Sequence, residues 1–418
     1  VFSKSDLSFN GTGSLTVTAQ SGDGIKCKDA LMMVEGTYTV TSADDGIVGR
    51  DSAQFAGGTY TVKATGDGIK ATNDEDASQG KVLIGSGTYT ITAGADGIQA
   101  VTDLTVKDGQ FTINTGGGSA NALTKTDTGM DPGMKQSDET STTTDTGSYK
   151  GFKSTGTLTL DGGTYKLDTK DDAVHANDSV TINQGTLDIA SGDDGIHADN
   201  TLTINNGTLT ISKSYEGLEG SNITIKGGTI KVTASDDGVN VAGGDGSSTS
   251  SDRADASDFS STSSNNTLTM AGGTLIVSAD GDGLDANGSI TMTGGTVLVD
   301  GPTNDGNAAL DYDGTFDISG GTFVAAGSSG MAQAPSTSST QGAICMTFTD
   351  AQSAGTMVNV SDSSGKSLIS YTPSKTYSNI VISSPDIKKG CSYSLSTGGS
   401  VNGTQNGALV TGGTYSGG

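Results

Sequence analysis

Asp194-Gly195-Ile196-His197-Ala198, then Leu202-Thr203-Ile204, then Gly207-Thr208-Leu209-Thr210-Ile211: the fold is decided by this stretch. Its apolar residues alternate with polar ones, the period of a strand rather than of a helix. Three such runs, parted by Asp, Asn and Gly turns, are too short to bury a face alone. The pattern recurs. An acid before Gly stands at Asp23, Asp45 and Asp67, spaced by 22; the same slot holds Asp172, before Ala173, and then Asp194, Glu216 and Asp237 before Gly, spaced by 22, 22 and 21. Asp96 follows a short insertion near Asp74-Glu75-Asp76, Asp282 follows a long one, and Asp305 comes 23 later. Lys150-Gly151-Phe152-Lys153 fills the same slot 22 residues before Asp172.

Eleven slots of one short repeat predict a solenoid. Each strand pairs in parallel with its equivalent in the next turn, and the apolar residues fill a central column. A propeller blade needs about 40 residues, and the asparagine ladder and helix of leucine-rich repeats are missing. The expectation is an all-β chain, a right-handed parallel β-helix of about eleven turns over residues 1–341. Two polar inserts, 114–149 and 243–266, interrupt it and are expected to hang off one corner as loops. From Gly342 to residue 418 the repeat stops. Ile344-Cys345-Met346, Met357-Val358-Asn359-Val360, Leu368-Ile369-Ser370-Tyr371, Ile380-Val381-Ile382 and Tyr393-Ser394-Leu395 predict a small β-rich cap, because a solenoid end exposes unpaired strand edges.

Composition agrees. The 418 residues include 65 Gly, 5 Pro and no Trp, with 5% aromatic residues. Forty-seven acids against 22 bases give a formal net charge of −25. Nucleic acid needs a basic stripe and is excluded as a partner; such acidity suits cation binding and solubility. No apolar run approaches a membrane span. Cys345 and Cys391 fall in one segment and could pair, which would fit an oxidising compartment; Cys27 stands alone. Val1-Phe2-Ser3-Lys4 reads as the middle of a repeat, so a targeting segment is expected upstream.

Strands of successive turns lie about 4.8 Å apart, so sequence columns become spatial columns. The acid column runs Asp23, Asp45, Asp67, Asp96, Lys150, Asp172, Asp194, Glu216, Asp237, Asp282, with Asp44, Asp171, Asp193 and Asp236 beside it. Three residues on, alternation sets a second outward column: Lys26, Val48, Lys70, Gln99, Lys153, His175, His197, Glu219, Asn240, Asp285. Taken singly, each Asp-Gly reads as turn chemistry, the Asp capping its own backbone and the Gly taking positive φ. That leaves the doubled acids unexplained, since like carboxylates this close repel by about 1 kcal/mol per pair even in water. Asp171, Asp172, Asp193, Asp194, Glu216 and Glu219, and further along Asp236, Asp237, Asn240, Asp282 and Asp285, therefore predict Ca2+, a hard ion content with six to eight oxygen ligands. With His175 and His197 as the only histidines and no nearby cysteine, zinc is not expected. Lys26, Lys28, Arg50, Lys70, Lys150 and Lys153 read either as charge balance for the acids or, with the two histidines, as a groove for a uronate polymer.

Asp171-Asp172-Ala173-Val174-His175-Ala176, Ser191-Gly192-Asp193-Asp194-Gly195-Ile196-His197-Ala198-Asp199, Lys213-Ser214-Tyr215-Glu216-Gly217-Leu218-Glu219-Gly220 and Ala309-Leu310-Asp311-Tyr312-Asp313-Gly314 carry a resemblance. They are similar to a bacterial carbohydrate-binding family, clostridial-type cell-surface β-helix proteins related to pectate lyases. The likeness extends to Gln352-Ser353-Ala354-Gly355-Thr356 and Tyr371-Thr372-Pro373-Ser374-Lys375. It implies a calcium-binding protein that adheres to polygalacturonate and to cellulose outside the cell. It also implies calcium sites like those of one pectate lyase family, built on Asp-Asp-Gly-x-Asp. Asp236-Asp237-Gly238-Val239-Asn240 departs from that motif in its last residue, and Asp282-Gly283-Leu284-Asp285 matches its latter part. Three functions follow: non-catalytic binding of acidic polysaccharide; a structural filament or adhesin that self-associates end to end; and a calcium-dependent lyase acting by β-elimination. In the lyase Lys153 would take the proton α to the uronate carboxylate. Against it, lysines fill the same column at Lys26 and Lys70.

Overall fold

A computed structural model describes residues 1–123, 147–242 and 266–417. Residues 124–146 and 243–265, the greater part of both expected inserts, lie outside the described residues. The chain divides into two compact units, one over residues 1–220 and one over 221–242 and 266–417.

The first unit is a β-solenoid. Its turns repeat three strands: Ile47–Gly49, Ser52–Phe55 and Thr59–Ala64 form one set, and Ile196–Ile204 merges the first two strands of a later one. The third strands stack in parallel in the order Ser14–Ala19, Thr37–Ser42, Thr59–Ala64, Thr88–Ala93, Gln110–Thr115, Thr164–Thr169, Thr186–Ser191, Thr208–Lys213. Alternation decides what is buried. Tyr60, Val62 and Ala64 turn inward while Thr59, Thr61 and Lys63 face solvent. First-strand residues Ile25, Ile47, Ile69, Ile98, Phe152, Val174 and Ile196 are fully buried in one column. Equivalent aromatics stack. The Tyr60–Tyr89, Tyr89–Phe111 and Phe111–Tyr165 ring centroids lie 4.8, 4.8 and 4.9 Å apart and nearly parallel. Each tyrosine hydroxyl also finds an acceptor, Tyr60 donating to the Gly57 carbonyl at 2.6 Å and Tyr89 to Ser86 at 2.9 Å.

The second unit continues the same plan with third strands Thr229–Ala234, Thr274–Ala279, Thr296–Asp300 and Thr322–Gly327, again parallel. Among the described residues twelve third strands occur over both units, slightly more than the eleven acid slots, since Phe2–Ser3 forms a first strand paired with Lys26–Cys27. After Gly327 the pairing changes hands. Tyr377–Ser383 runs antiparallel along Thr322–Gly327 and along Ala343–Gln352, so the edge of the last third strand is paired. Val358–Ser361, Ser367–Tyr371 and Ser394–Thr397 belong to a five-stranded antiparallel sheet. Leu298 and Val324 stand on the outward face of their strands, where first-unit turns carry Thr61, Thr90 and Thr112, and form a core with Val358, Val360, Ile369 and Ile380.

Three expectations are corrected. The inserts leave from different corners: the first lies between Gln110–Thr115 and Phe152–Ser154, the second between Val239–Val241 and Thr267–Met270. Cys345 and Cys391 are exposed, unbonded thiols, and Cys27 is a buried one. Asp305 does not belong to the acid column, because Asp285 registers with Asp311 and the Gly283 N–H donates to Ala308. The slot equivalent to Asp282 is therefore Ala308, and the extra residues before it push Asp305 out of register. Among the described residues no helix is long and apolar enough to cross a membrane.

Candidate functional site

The acids gather at the corner where a third strand passes into the next first strand. Column carboxylates there cap the following turn. Asp45 Oδ1 accepts from the Asp67 N–H at 2.9 Å, Asp67 from Asp96 at 2.9 Å, Asp96 from Lys150 at 2.8 Å, and Asp172 from Asp194 at 3.0 Å. In the second unit Asp237 accepts from the Asp282 N–H at 2.6 Å and Asp282 from Ala308. A carboxylate capping its own turn, as each Asp-Gly read alone suggests, is replaced here by a ladder running between turns. The glycine's role is corrected too. Gly68 does not take positive φ; a Cβ there would meet the Ile91 side chain and, at 2.5 Å, the Gly97 carbonyl of the next turn. Positive φ belongs to the glycines before the third strand, such as Gly87 at 127°.

At Asp45, Asp67, Asp96 and Asp172 one carboxylate oxygen is thus committed, and a cation meets the other. In the first unit the second column supplies it, and the register brings that column together as the spacing predicts: Lys26, Val48, Lys70, Gln99, Lys153, His175, His197. Lys26 Nζ lies 2.6 Å from Asp23 Oδ2, and Lys70 Nζ lies 2.6 Å from Asp67 and 3.7 Å from Asp45. Lys153 Nζ is 3.4 Å from Asp96 and donates to Ser148 Oγ at 2.9 Å. Lys150, buried in the acid column itself, lies 3.0 Å from both Asp171 and Asp172. Burial works against ionisation of Asp172, yet Lys150 and His175 hold its carboxyl well below the usual range. Asp171 goes the other way, raised by burial and by Asp172 against the pull of Lys150.

Lys28 and Arg50 do not join this column. They follow the first strand, where Arg50 pairs with Asp51 at 3.2 Å and with Glu75, and Lys28 is exposed. The basic patch of the sequence is therefore two features on successive corners, and four of its six members serve the acid ladder.

The histidines stack on adjacent turns with ring centroids 4.7 Å apart. His175 Nδ1 is 2.8 Å from Asp172 Oδ2. Burial, reinforced by Lys150, pulls the His175 imidazole below its ordinary range. His197 meets three carboxylates: Nδ1 lies 3.1 Å from Asp194 and 2.5 Å from Glu219, and Nε2 lies 3.0 Å from Asp199. Burial alone would depress His197, but Glu219, Asp194 and Asp199 hold it well above the usual range, while burial and Glu219 push the Asp194 carboxyl up to about 7. Asp193 joins Asp171 and Asp172 in a carboxylate triplet, and Glu216 occupies the rung after Asp194, its carbonyl accepting from the Gly195 N–H.

The second unit has different chemistry in the same geometry. Its second column reads Asn240, Asp285, Asp311, with an amide and two acids where the first unit has lysine and histidine. Asp237, Asp282 and Asp285 each bring a carboxylate oxygen within 4.8 Å of the others, and Asp236 adds charge beside them. Burial, with Asp285 and Asp282 close by, raises the Asp237 carboxyl well above the usual range. Asp285 is pushed up to about 8 by burial, by Asp282 and then by Asp311. A donor set of carboxylate oxygens on neighbouring turns suits a hard divalent cation that accepts irregular oxygen coordination.

Two contributors escaped the sequence reading. Asp199 stands two residues after His197, on the same face of an extended strand, so the period of two already marked it. Ser148, which donates to Asp96 at 2.7 Å, comes from the end of an insert and left no periodic signal.

A family described as carbohydrate-binding domain-containing protein matches residues 1–195 and 193–238. No curated protein matched the chain. Among solved structures, the "polysaccharide lyase-like protein from C. thermocellum, Gadolinium derivative" is similar at 17% identity with a TM-score of 0.28, covering 76% of this chain and 88% of that one. Since the family match runs over more than half of the residues, the chain belongs to the carbohydrate-binding domain-containing proteins.

Proposed function

We propose that this protein is a secreted or cell-surface, calcium-binding protein that holds acidic plant cell-wall polysaccharide, polygalacturonate or pectin, without cleaving it. One observation carries the reading: beside the acid ladder the first unit sets Lys26, Lys70, Lys150, Lys153 and the histidines, whereas in the second Asp285 joins Asp237 and Asp282 with carboxylate oxygens within 4.8 Å of one another. Ca2+ held by those three carboxylates would offset their repulsion and keep coordination positions for a uronate carboxylate. At −25 the protein repels a polyanion, so attraction must be local, through such a bridge or through exposed cations such as Lys28. Membership of a carbohydrate-binding family supports a polysaccharide partner, and cellulose is the neutral candidate beside pectin.

Lys153, the base a lyase would need, reaches Asp96 of the preceding turn at 3.4 Å as Lys70 reaches Asp45 of its preceding turn at 3.7 Å. That repeated arrangement favours a rung of the ladder over a single tuned base. The test is retention of the protein on polygalacturonate, pectin and cellulose, in calcium and in chelator, with unsaturated uronide absorbance followed in the same tubes. Retention on polygalacturonate in calcium, release in chelator and flat absorbance support the proposal. Absorbance that rises with time and is lost in Lys153→Ala would replace it by the lyase. No retention in calcium would leave end-to-end self-association as the function to pursue.

A further inference from the structure

We infer that His197, Asp194 and Glu219 form a second cation site, selective for a transition-type divalent ion such as Zn2+ and separate from the all-oxygen cluster of Asp237, Asp282 and Asp285. The site needs neither calcium nor a bound polysaccharide.

Among the described residues of the first unit, four clusters bring three possible ligand atoms together, and three of them already have an ammonium among them. Asp23, grouped with Asp44 and Asp45, has Lys26 at 2.6 Å. Asp172, shared by the His175–His197 cluster and the Asp171–Asp193 cluster, has Lys150 at 3.0 Å. The fourth, Asp194, His197 and Glu219, differs in kind. Among the described residues the only cationic partner of Asp194 and Glu219 is the imidazole itself.

The ring is set for coordination. Asp199 receives Nε2 at 3.0 Å, which leaves Nδ1 facing Asp194 Oδ2 at 3.1 Å and Glu219 Oε2 at 2.5 Å. A metal-bound histidine characteristically gives its other N–H to a carboxylate, which fixes both tautomer and ring orientation. Two carboxylates converging on one ring nitrogen need something positive between them. A proton on Nδ1 is one solution, and a divalent ion held by Nδ1 and both carboxylates is the other. Ligand atoms around tetrahedral zinc stand roughly 3.3 Å apart, given bonds of about 2.0–2.1 Å. The Asp194 contact is already near that separation, and Glu219 has only to draw back toward solvent. Side-chain exposures of 14% for His197 and 17% for Glu219 leave a wet side where water completes the coordination. The nitrogen donor sets the selectivity: imidazole suits zinc, copper and nickel, whereas calcium takes oxygen.

The test is calorimetric titration of the whole chain with Zn2+ in excess Ca2+, in buffers of different ionisation enthalpy. The expected result is a zinc site that survives the calcium and releases protons as the imidazolium gives way to the metal. His197→Gln should weaken it at least tenfold, and Glu219→Gln should weaken it while leaving proton release in place. Should His197→Gln fail to fold, the wild-type protein still decides. It has only two histidines, and zinc should move the Nδ1 resonance of one imidazole alone into the metal-bound range. Zinc binding that is absent, is displaced by calcium, is unchanged in the folded His197→Gln variant, or leaves both imidazole spectra unmoved would overturn the inference.

Discussion

Asp67 shows how one carboxylate serves two turns. Its Oδ1 takes the backbone N–H of Asp96 and its Oδ2 takes Lys70, both in a nearly closed corner. Removing it orphans a buried donor and strands a half-buried ammonium, so Asp67→Ala should cost about 1–3 kcal/mol, read from chemical denaturation. Asp285 has the opposite character. Its charge is opposed by burial and by Asp282 and Asp311, so Asp285→Asn should raise the melting temperature in chelator at pH 8. The same substitution should diminish the rise that calcium produces. A lower melting temperature in chelator would mean that the carboxylate is satisfied without a cation. The doubled acids and the outward column were legible because strand register is arithmetic once the repeat length is known. What each carboxylate touches was not: a count of 22 places Asp67 over Asp45 but does not say which N–H an oxygen accepts.

At the scale of the strand, the repeat works because identical positions want identical partners. Tyr60, Tyr89, Phe111 and Tyr165 stack in one column, and each hydroxyl returns to a carbonyl just before its own strand. Tyr89→Phe should cost about 1 kcal/mol for the lost hydrogen bond, and Tyr89→Ala about 3–5 kcal/mol for the cavity between two rings. Equal losses in the two variants, measured by denaturation, would contradict the packing described. The three-strand repeat was legible in the alternation of single Ile, Val and Leu with polar residues. The slot after Asp282 was not, because the segment around Pro302 and Asn304 lengthens that turn and carries a decoy Asp305. The exit corners of the inserts were equally hidden, since a polar stretch shows where the rhythm breaks and not which way the chain leaves.

For the whole molecule, pH and calcium should act on the same charges. Asp285 keeps its proton up to about pH 8 in the folded state, while an unfolded Asp loses it near pH 4. Folding therefore retains a proton that unfolding releases, and stability falls as pH rises between those values. Asp194 and His197, both raised, slope the same way; His175, lowered, opposes them below its ordinary range. In chelator the melting temperature should thus drop from pH 5 to pH 8.5, and calcium should restore more of it at the higher pH, since an ion that binds only the folded state stabilises it. The family reading accounts for a carbohydrate partner, and the change from lysine to aspartate along the ladder says where a cation-dependent contact would form. That contact is measured most directly by the equilibrium affinity of the full chain for polygalacturonate in calcium, compared between the wild type and the double variant Asp237→Asn, Asp285→Asn. At least a tenfold weaker affinity is expected in the folded double variant, about 1.4 kcal/mol, matching the wild type in chelator. Equal affinity of variant and wild type in calcium would contradict it.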